Sequence, residues 1–277
     1  MRKILSNIKW RLIRAYNNQM HYYLEIHLVD HCNLGCASCT HFSPIAEQWY
    51  INSDKFKADL DQLQKIFGQN YVFDVRLMGG EPLLHPQINE LLHIARTSLR
   101  TSKISLVTNG ILIKKMNVSF WETMSENNIL IYFSEYPIDM NYKELEEVAK
   151  SHGVDVVGLD HNDKSYFGKL PIDIIPGNQN SNFKCCPHGN NEHSLRDGKI
   201  YTCMTAANID VLNKKYNLHL PNENGIDIYS VKNKKQIIRF TKKSVPLCAY
   251  CRPSMNTRFL WHRSKRQKEE WLLEREE

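Results

Sequence analysis

The chain has 277 residues, 42% of them hydrophobic, with 36 Lys and Arg against 30 Asp and Glu for a net charge of +6. That length and apolar content suit an ordinary globular protein, either one large domain or one domain with an appendage. No run is long enough to span a bilayer and no export signal is legible, so the expected location is cytoplasmic, where clustered thiols point to metal and not to disulfides.

In chain order, residues 1–20 carry Arg2, Lys3, Lys9, Arg11 and Arg14 with no acid, and Ile4, Leu5, Ile8 and Leu12 fall at helical spacing. This predicts a basic amphipathic helix, laid over the core or docked on an anionic membrane or a lipid-linked substrate. After it, extended runs alternate with helical ones. Residues 22–29, 71–78, 103–110, 129–137 and 154–160 read as strands, and 54–68, 87–100, 119–128 and 142–153 as helices. Five such strands predict a mainly parallel sheet, open or closed into a barrel, with ligands at the carboxyl ends of the strands. The charged tail "RSKRQKEEWLLEREE" reads as a solvated terminal helix.

The loop after the first strand, "DHCNLGCASCTHFSP", holds Cys32, Cys36 and Cys39 in a C-x3-C-x2-C spacing. Three thiolates from one short loop can hold three corners of a cubane iron–sulfur cluster and leave the fourth iron without a protein ligand. A structural zinc is the alternative, with His31 or His41 as fourth ligand.

Further segments sit at the ends of successive strands: "MGGEP" at 78–82, "VTNG" at 107–110 and "SEYP" at 134–137. Together with the cysteine loop, over roughly residues 22–180, they resemble the radical S-adenosylmethionine (SAM) enzymes. The resemblance implies that the open iron chelates SAM and that Gly79, Gly80 and Glu81 meet its amino group. It also makes Thr108, Asn109, Ser134 and Glu135 candidates for contacts with SAM or substrate. The family's aromatic residue just after the second cysteine, which meets the adenine, has no counterpart: that position is Ala37, leaving His41 or Phe42 to cover the base.

In the second half, "CCPHGNNEHSLRDGKIYTC" spans 185–203 and "CAYC" spans 248–251. "RDGK" predicts the turn of a hairpin. Counted from Cys186 the spacing is C-x11-G-x4-C, which resembles the Twitch arrangement, the shortened SPASM domain with one auxiliary 4Fe–4S cluster. Its ligands would be Cys186, Cys203, Cys248 and Cys251, with Cys185 a close competitor of Cys186. A zinc ribbon is the alternative.

The expected architecture is therefore α/β: an N-terminal helix (1–20), a partial (β/α)6 TIM-like barrel (21–180), an auxiliary-cluster lobe (181–253) and a C-terminal helix (254–277). The resemblance implies two 4Fe–4S clusters and SAM as cofactors, and an external one-electron reductant such as flavodoxin or ferredoxin. The substrate would be a carbohydrate-like or aminocyclitol-like small molecule, including nucleotide- or lipid-linked sugars, that is oxidised at an alcohol carbon or epimerised. Nucleic acid is not an expected partner. Maturation of a ribosomal peptide and a zinc-stabilised binding module are the alternatives. Glu135, Arg196 and Cys185 are the candidate catalytic residues, Cys185 as a thiol hydrogen donor. Asp160, His161 and His188 are further polar candidates.

Overall fold

The computed structural model describes residues 22–159, 165–189 and 192–274. The basic segment 1–20 and the candidates Asp160 and His161 lie outside these residues. Each expected strand and helix of the first half is present. The strands are β1 (Tyr22–Val29), β2 (Phe73–Gly79), β3 (Lys103–Thr108), β4 (Leu130–Phe133) and β5 (Val156–Val157). The helices between them are α1 (Ser53–Phe67), α2 (Ile88–Ser98), α3 (Val118–Glu126) and α4 (Tyr142–Ser151).

Local chemistry sets the helix boundaries. The side chains of Asn52, Asn117 and Asn141 accept from the backbone N–H groups of Lys55, Phe120 and Glu144, satisfying donors that α1, α3 and α4 cannot pair internally. Gly68 stops α1 at φ +95°, a conformation that disfavours any side chain.

Neighbouring strands among β1 to β5 pair in parallel in the order β5-β4-β3-β2-β1. Leu24, Ile26 and Leu28 of β1, Val75 and Leu77 of β2, and Ile104 and Leu106 of β3 join Phe56, Leu60, Leu63, Leu91 and Phe120 in one core. Each such side chain contributes about 1.5–3 kcal/mol on leaving water. This mainly parallel α/β sheet is the expected partial-barrel architecture.

Two features were not legible in the sequence. The other edge of β1 pairs in parallel with β7 (His193–Arg196), which continues antiparallel into β8 (Lys199–Tyr201) and β9 (Gly225–Asp227). The lobe is thus joined to the main sheet as one surface. Its β7–β8 hairpin is the expected one, turning through Asp197 and Gly198 at φ 49° and 73°. Secondly, β6 (Tyr166–Lys169) leaves the sheet and pairs antiparallel with β10 (Thr257–Leu260).

The pairing of β10 corrects the expected C-terminal helix. Its residues 257–260 are extended, and Lys268–Glu270 form one 3-10 turn. The charged residues favour a helix locally, but Trp271 and Leu272 are 3% and 6% exposed in a second core with Phe42, Ile172, Leu212 and Leu247. Burying that pair outweighs a solvated helix. The lobe also contains α5 (Gln179–Cys185), α6 (Met204–Tyr216) and α7 (Lys234–Thr241). No helix among the described residues is long and apolar enough to cross a membrane.

Candidate functional site

A cavity opens at the carboxyl ends of β1 to β4. Cys32, Cys36, Cys39, Gly79, Gly80, Thr108, Asn109 and Ser134 line it, so four separate sequence segments converge as expected. His41, Ser43, Met78, Val107 and Tyr136 complete the wall. Tyr136 was not singled out from sequence although it lies within "SEYP". Its ring stacks on Phe167 at 5.4 Å and 14°, a contact made by the β6 excursion.

The backbone explains both glycines. A Cβ on Gly79 would lie 2.3 Å from the Val29 carbonyl oxygen, and one on Gly80 would lie 2.0 Å from that of His31. Gly80 and Glu81 donate their N–H groups to those same carbonyls at 2.6 and 3.1 Å. The glycines therefore admit the cysteine loop against the end of β2, where the sequence reading had them admit a ligand.

Glu81 also differs from expectation. It is 1% exposed and absent from the cavity wall. Its carboxylate accepts from Thr108 Oγ1 (2.8 Å), Asn109 N (3.0 Å) and Leu83 N (3.1 Å), tying the end of β2 to that of β3. Burial raises its pKa to about 7 against those hydrogen bonds. Asn109 donates its amide to Asn33 Oδ1 at 2.7 Å and lies 3.7 Å from Cys32 Sγ. The third strand end thus holds the first cysteine.

Burial, more than their mutual repulsion, pushes the Cys32 thiol up to about 11 and Cys36 to about 12, and raises Cys39. Three part-buried thiols lining one cavity resist ionisation unless a cation sits among them, which is the donor set that an iron–sulfur cluster would neutralise. Of the two candidates for the adenine, His41 faces the cavity with its Nε2 unpartnered, while Phe42 is buried in the second core.

A second cavity is lined by Cys186, Cys203, Cys248 and Cys251, with His188, Glu192 and Phe183. Burial pushes Cys203 up to about 12 and raises Cys248 and Cys251, the neighbouring thiols adding to it. Cys185 is exposed at the end of α5 and lines neither cavity. Its helical position turns it away while Cys186, the C-cap, turns in. That separates the two adjacent thiols and removes the basis for Cys185 as a hydrogen donor.

The other catalytic candidates are also displaced. Arg196 clasps Asp30 through both terminal nitrogens (2.6 and 2.8 Å), bonds Asn208 Oδ1 and lies 4.8 Å over the Trp49 ring. Asp30 in turn meets His27 Nε2. Arg196 is therefore a tie between β7 and the start of the cysteine loop, its donors taken up by the protein. Glu135 is half-buried and outside the lining of either cavity.

A family model described as a 4Fe-4S single cluster domain matches residues 24–151. A GTP 3',8-cyclase of Trichodesmium erythraeum (strain IMS101) is 36% identical over 97 residues, covering 34% of this chain and 29% of that protein. A GTP 3',8-cyclase of Clostridium perfringens (strain SM101 / Type A) is 27% identical over 194 residues, covering 58% of each. The chain therefore spans between about a third and three fifths of the length of these relatives. Among solved structures, BtrN in complex with AdoMet and 2-DOIA superposes with a TM-score of 0.51 at 16% identity, covering 84% of this chain and 93% of that one. That likeness establishes the fold.

Fold and site together define an α/β protein of partial-barrel form whose cysteine loop, within the stretch that resembles a 4Fe-4S single cluster domain, lies at the carboxyl face of the sheet. By likeness the matched stretch suits a 4Fe–4S cluster, and the BtrN structure of similar fold holds AdoMet.

Proposed function

We propose that the chain is a radical SAM oxidoreductase of a carbohydrate-like or aminocyclitol-like small molecule, oxidising an alcohol carbon or epimerising it. The observation that carries this reading is the second cysteine-lined cavity in the same chain. Four thiols around one space suit an auxiliary 4Fe–4S cluster.

When bound, SAM and its cluster supply a radical that takes hydrogen from an unactivated carbon, and an auxiliary cluster supplies an acceptor for the electron left behind. The chain's own residues hold, orient and exclude water. Cys32, Cys36 and Cys39 are the ligands of the first cluster. Gly79, Gly80, Thr108, Asn109 and Ser134 would form the wall for SAM, with His41 and Tyr136 in the same lining. Cys186, Cys203, Cys248 and Cys251 are the ligands of the second cluster. Asp30 and Arg196 fix the two halves of the sheet to each other, which keeps the reacting groups in one geometry. Both hydrophobic cores cross the expected boundary between barrel (21–180) and auxiliary lobe (181–253): the first takes in Leu195, Ile200 and Ile237, the second Phe42, Ile45 and Ile172. The electron enters from a flavodoxin- or ferredoxin-like reductant in the cytoplasm.

The test is anaerobic reconstitution of the wild type and of Cys32→Ala/Cys36→Ala/Cys39→Ala, followed by iron and sulfide analysis and an assay of SAM cleavage under a strong reductant. About eight irons falling to about four, with deoxyadenosine formation abolished, is the expected result. Zinc in place of iron in the wild type, with no cleavage, would remove the reading.

A further inference from the structure

The face of the sheet opposite the helices is polar directly beneath the first cavity. Side chains alternate along a strand, and Val75 and Leu77 of β2 point into the helix-covered core. Arg76 and Met78 therefore point to the other side, as do Glu25 of β1, Val107 of β3 and Tyr132 of β4. Met78 and Val107 line the cysteine cavity, which identifies this as the face below it. Arg76 lies one repeat lower than Met78, roughly 7 Å down the strand.

The guanidinium of Arg76 is held between two aromatic rings. Its central carbon is 4.9 Å from the Tyr23 centroid and 4.4 Å from that of Tyr132. Tyr132 is itself backed by Gly158, where a Cβ would come within 2.2 Å of the ring. Arg76 makes no hydrogen bond or ion pair with any described residue. Its cross-strand neighbour is Glu25, whose carboxylate accepts the Tyr23 hydroxyl at 2.6 Å. A guanidinium positioned by rings and not by hydrogen bonds keeps its fork of N–H donors for a ligand.

Glu25 is 6% exposed, and burial raises its pKa to about 7, so near neutrality it serves a hydroxyl as donor or acceptor. Glu192 and His188, which line the second cavity, are among the charges acting on it. A molecule seated on Arg76 is thus bordered by residues of both cavities. With Glu25 and Glu192 nearby, a single guanidinium suits a monoanionic group better than a phosphomonoester dianion.

We infer that Arg76, clamped between Tyr23 and Tyr132, is the oxyanion-binding residue of the substrate recess, and that the substrate carries a carboxylate or a phosphodiester beside its hydroxyl-bearing carbons. This deepens the oxidoreductase reading and rests on it for the position of the recess. The test is calorimetric titration of the reconstituted protein, with SAM present, using glucose, glucuronate and the methyl phosphodiester of glucose 1-phosphate as probes. Wild type is expected to bind one of the two anionic probes at least about tenfold more tightly than glucose, the share of one charge-assisted contact. The preferred probe tells carboxylate from phosphodiester. Arg76→Gln abolishes the preference and Arg76→Lys restores part of it. Gly158→Ala, which displaces the Tyr132 ring, weakens it as well. Iron content equal to wild type certifies that each variant has folded. Equal affinity for all three probes, no binding of any, or an unchanged preference in Arg76→Gln would overturn the assignment. Anion binding through Arg76 by a protein that never cleaves SAM would remove the radical reading and leave this site standing.

Discussion

Trp271 donates its indole N–H to the carbonyl oxygen of Cys39 at 2.9 Å, across 232 residues of chain. The contact is one of several by which the C-terminal segment holds the cysteine loop. Ala37 N–H donates to the His262 carbonyl at 3.0 Å, Ser264 N–H to that of Gly35 at 2.8 Å, and Ser38 Oγ to that of Glu270 at 2.6 Å. The Trp271 carbonyl also accepts the Ile172 N–H at 2.9 Å, and Ile172 forms backbone bridges to Leu272 and to Cys251 of the second cavity.

Removing the indole should therefore loosen both cavities. Trp271→Ala is expected to destabilise the protein by about 3–5 kcal/mol through the void it leaves. Trp271→Phe, which keeps most of the volume, should cost about 1 kcal/mol for the lost hydrogen bond. Anaerobic denaturant titrations of the two variants compare these values directly. Similar stability for both would mean that the tail does not brace the loop.

The Asp30–Arg196 clasp makes a second test. Arg196 and Asp30 side chains are 13% and 10% exposed. Replacing Arg196 with Met leaves a buried carboxylate without its cation and should cost about 3–5 kcal/mol. Burial alone would raise the Asp30 pKa, but His27 and Arg196 outweigh it and hold it at about 2. The folded value is below the unfolded one, so this stabilisation is present above about pH 4 and is lost as pH falls toward 2. Acid unfolding of Arg196→Met should begin at a higher pH than that of wild type.

Glu25 has the opposite sign. Its folded pKa, about 7, stands above the usual carboxylate value because burial opposes its charge. The folded state holds the proton where the unfolded state has released it, so stability falls as pH rises from about 4.5 to 7. Glu25→Gln should flatten that part of the profile, which stability measurements across pH 5 to 8 will read.

The adjacent thiols are expected to separate cleanly. Cys185→Ser should retain about eight irons and Cys186→Ser about four, since Cys186 alone of the two lines the second cavity. Iron loss on changing Cys185 would reverse the assignment.

Much of the first half was legible because its determinants are local. Alternating β-branched and amphipathic runs, with Asn caps and a Gly stop, specify strands and helices within a few residues of themselves. Position in that alternation then places the cysteine loop and the ends of β2 to β4 at one face. Non-local pairing was not legible. The lobe's attachment through β7, the separation of β6 with β10 and the extended tail depend on partners more than eighty residues away, and no local propensity encodes them.

The same boundary runs through the site. The sequence by itself determined the chemistry: which thiols are close enough along the chain to share a cluster, and which strand ends carry glycine and polar side chains. Only the tertiary structure decided how those groups are used. It turned Cys186 inward and Cys185 out, enclosed Glu81 between two strand ends, bound Arg196 to Asp30 and left Arg76 between two rings. A side chain's donors are available or occupied according to what packs beside it, and that is a property of the assembled sheet and not of the residue.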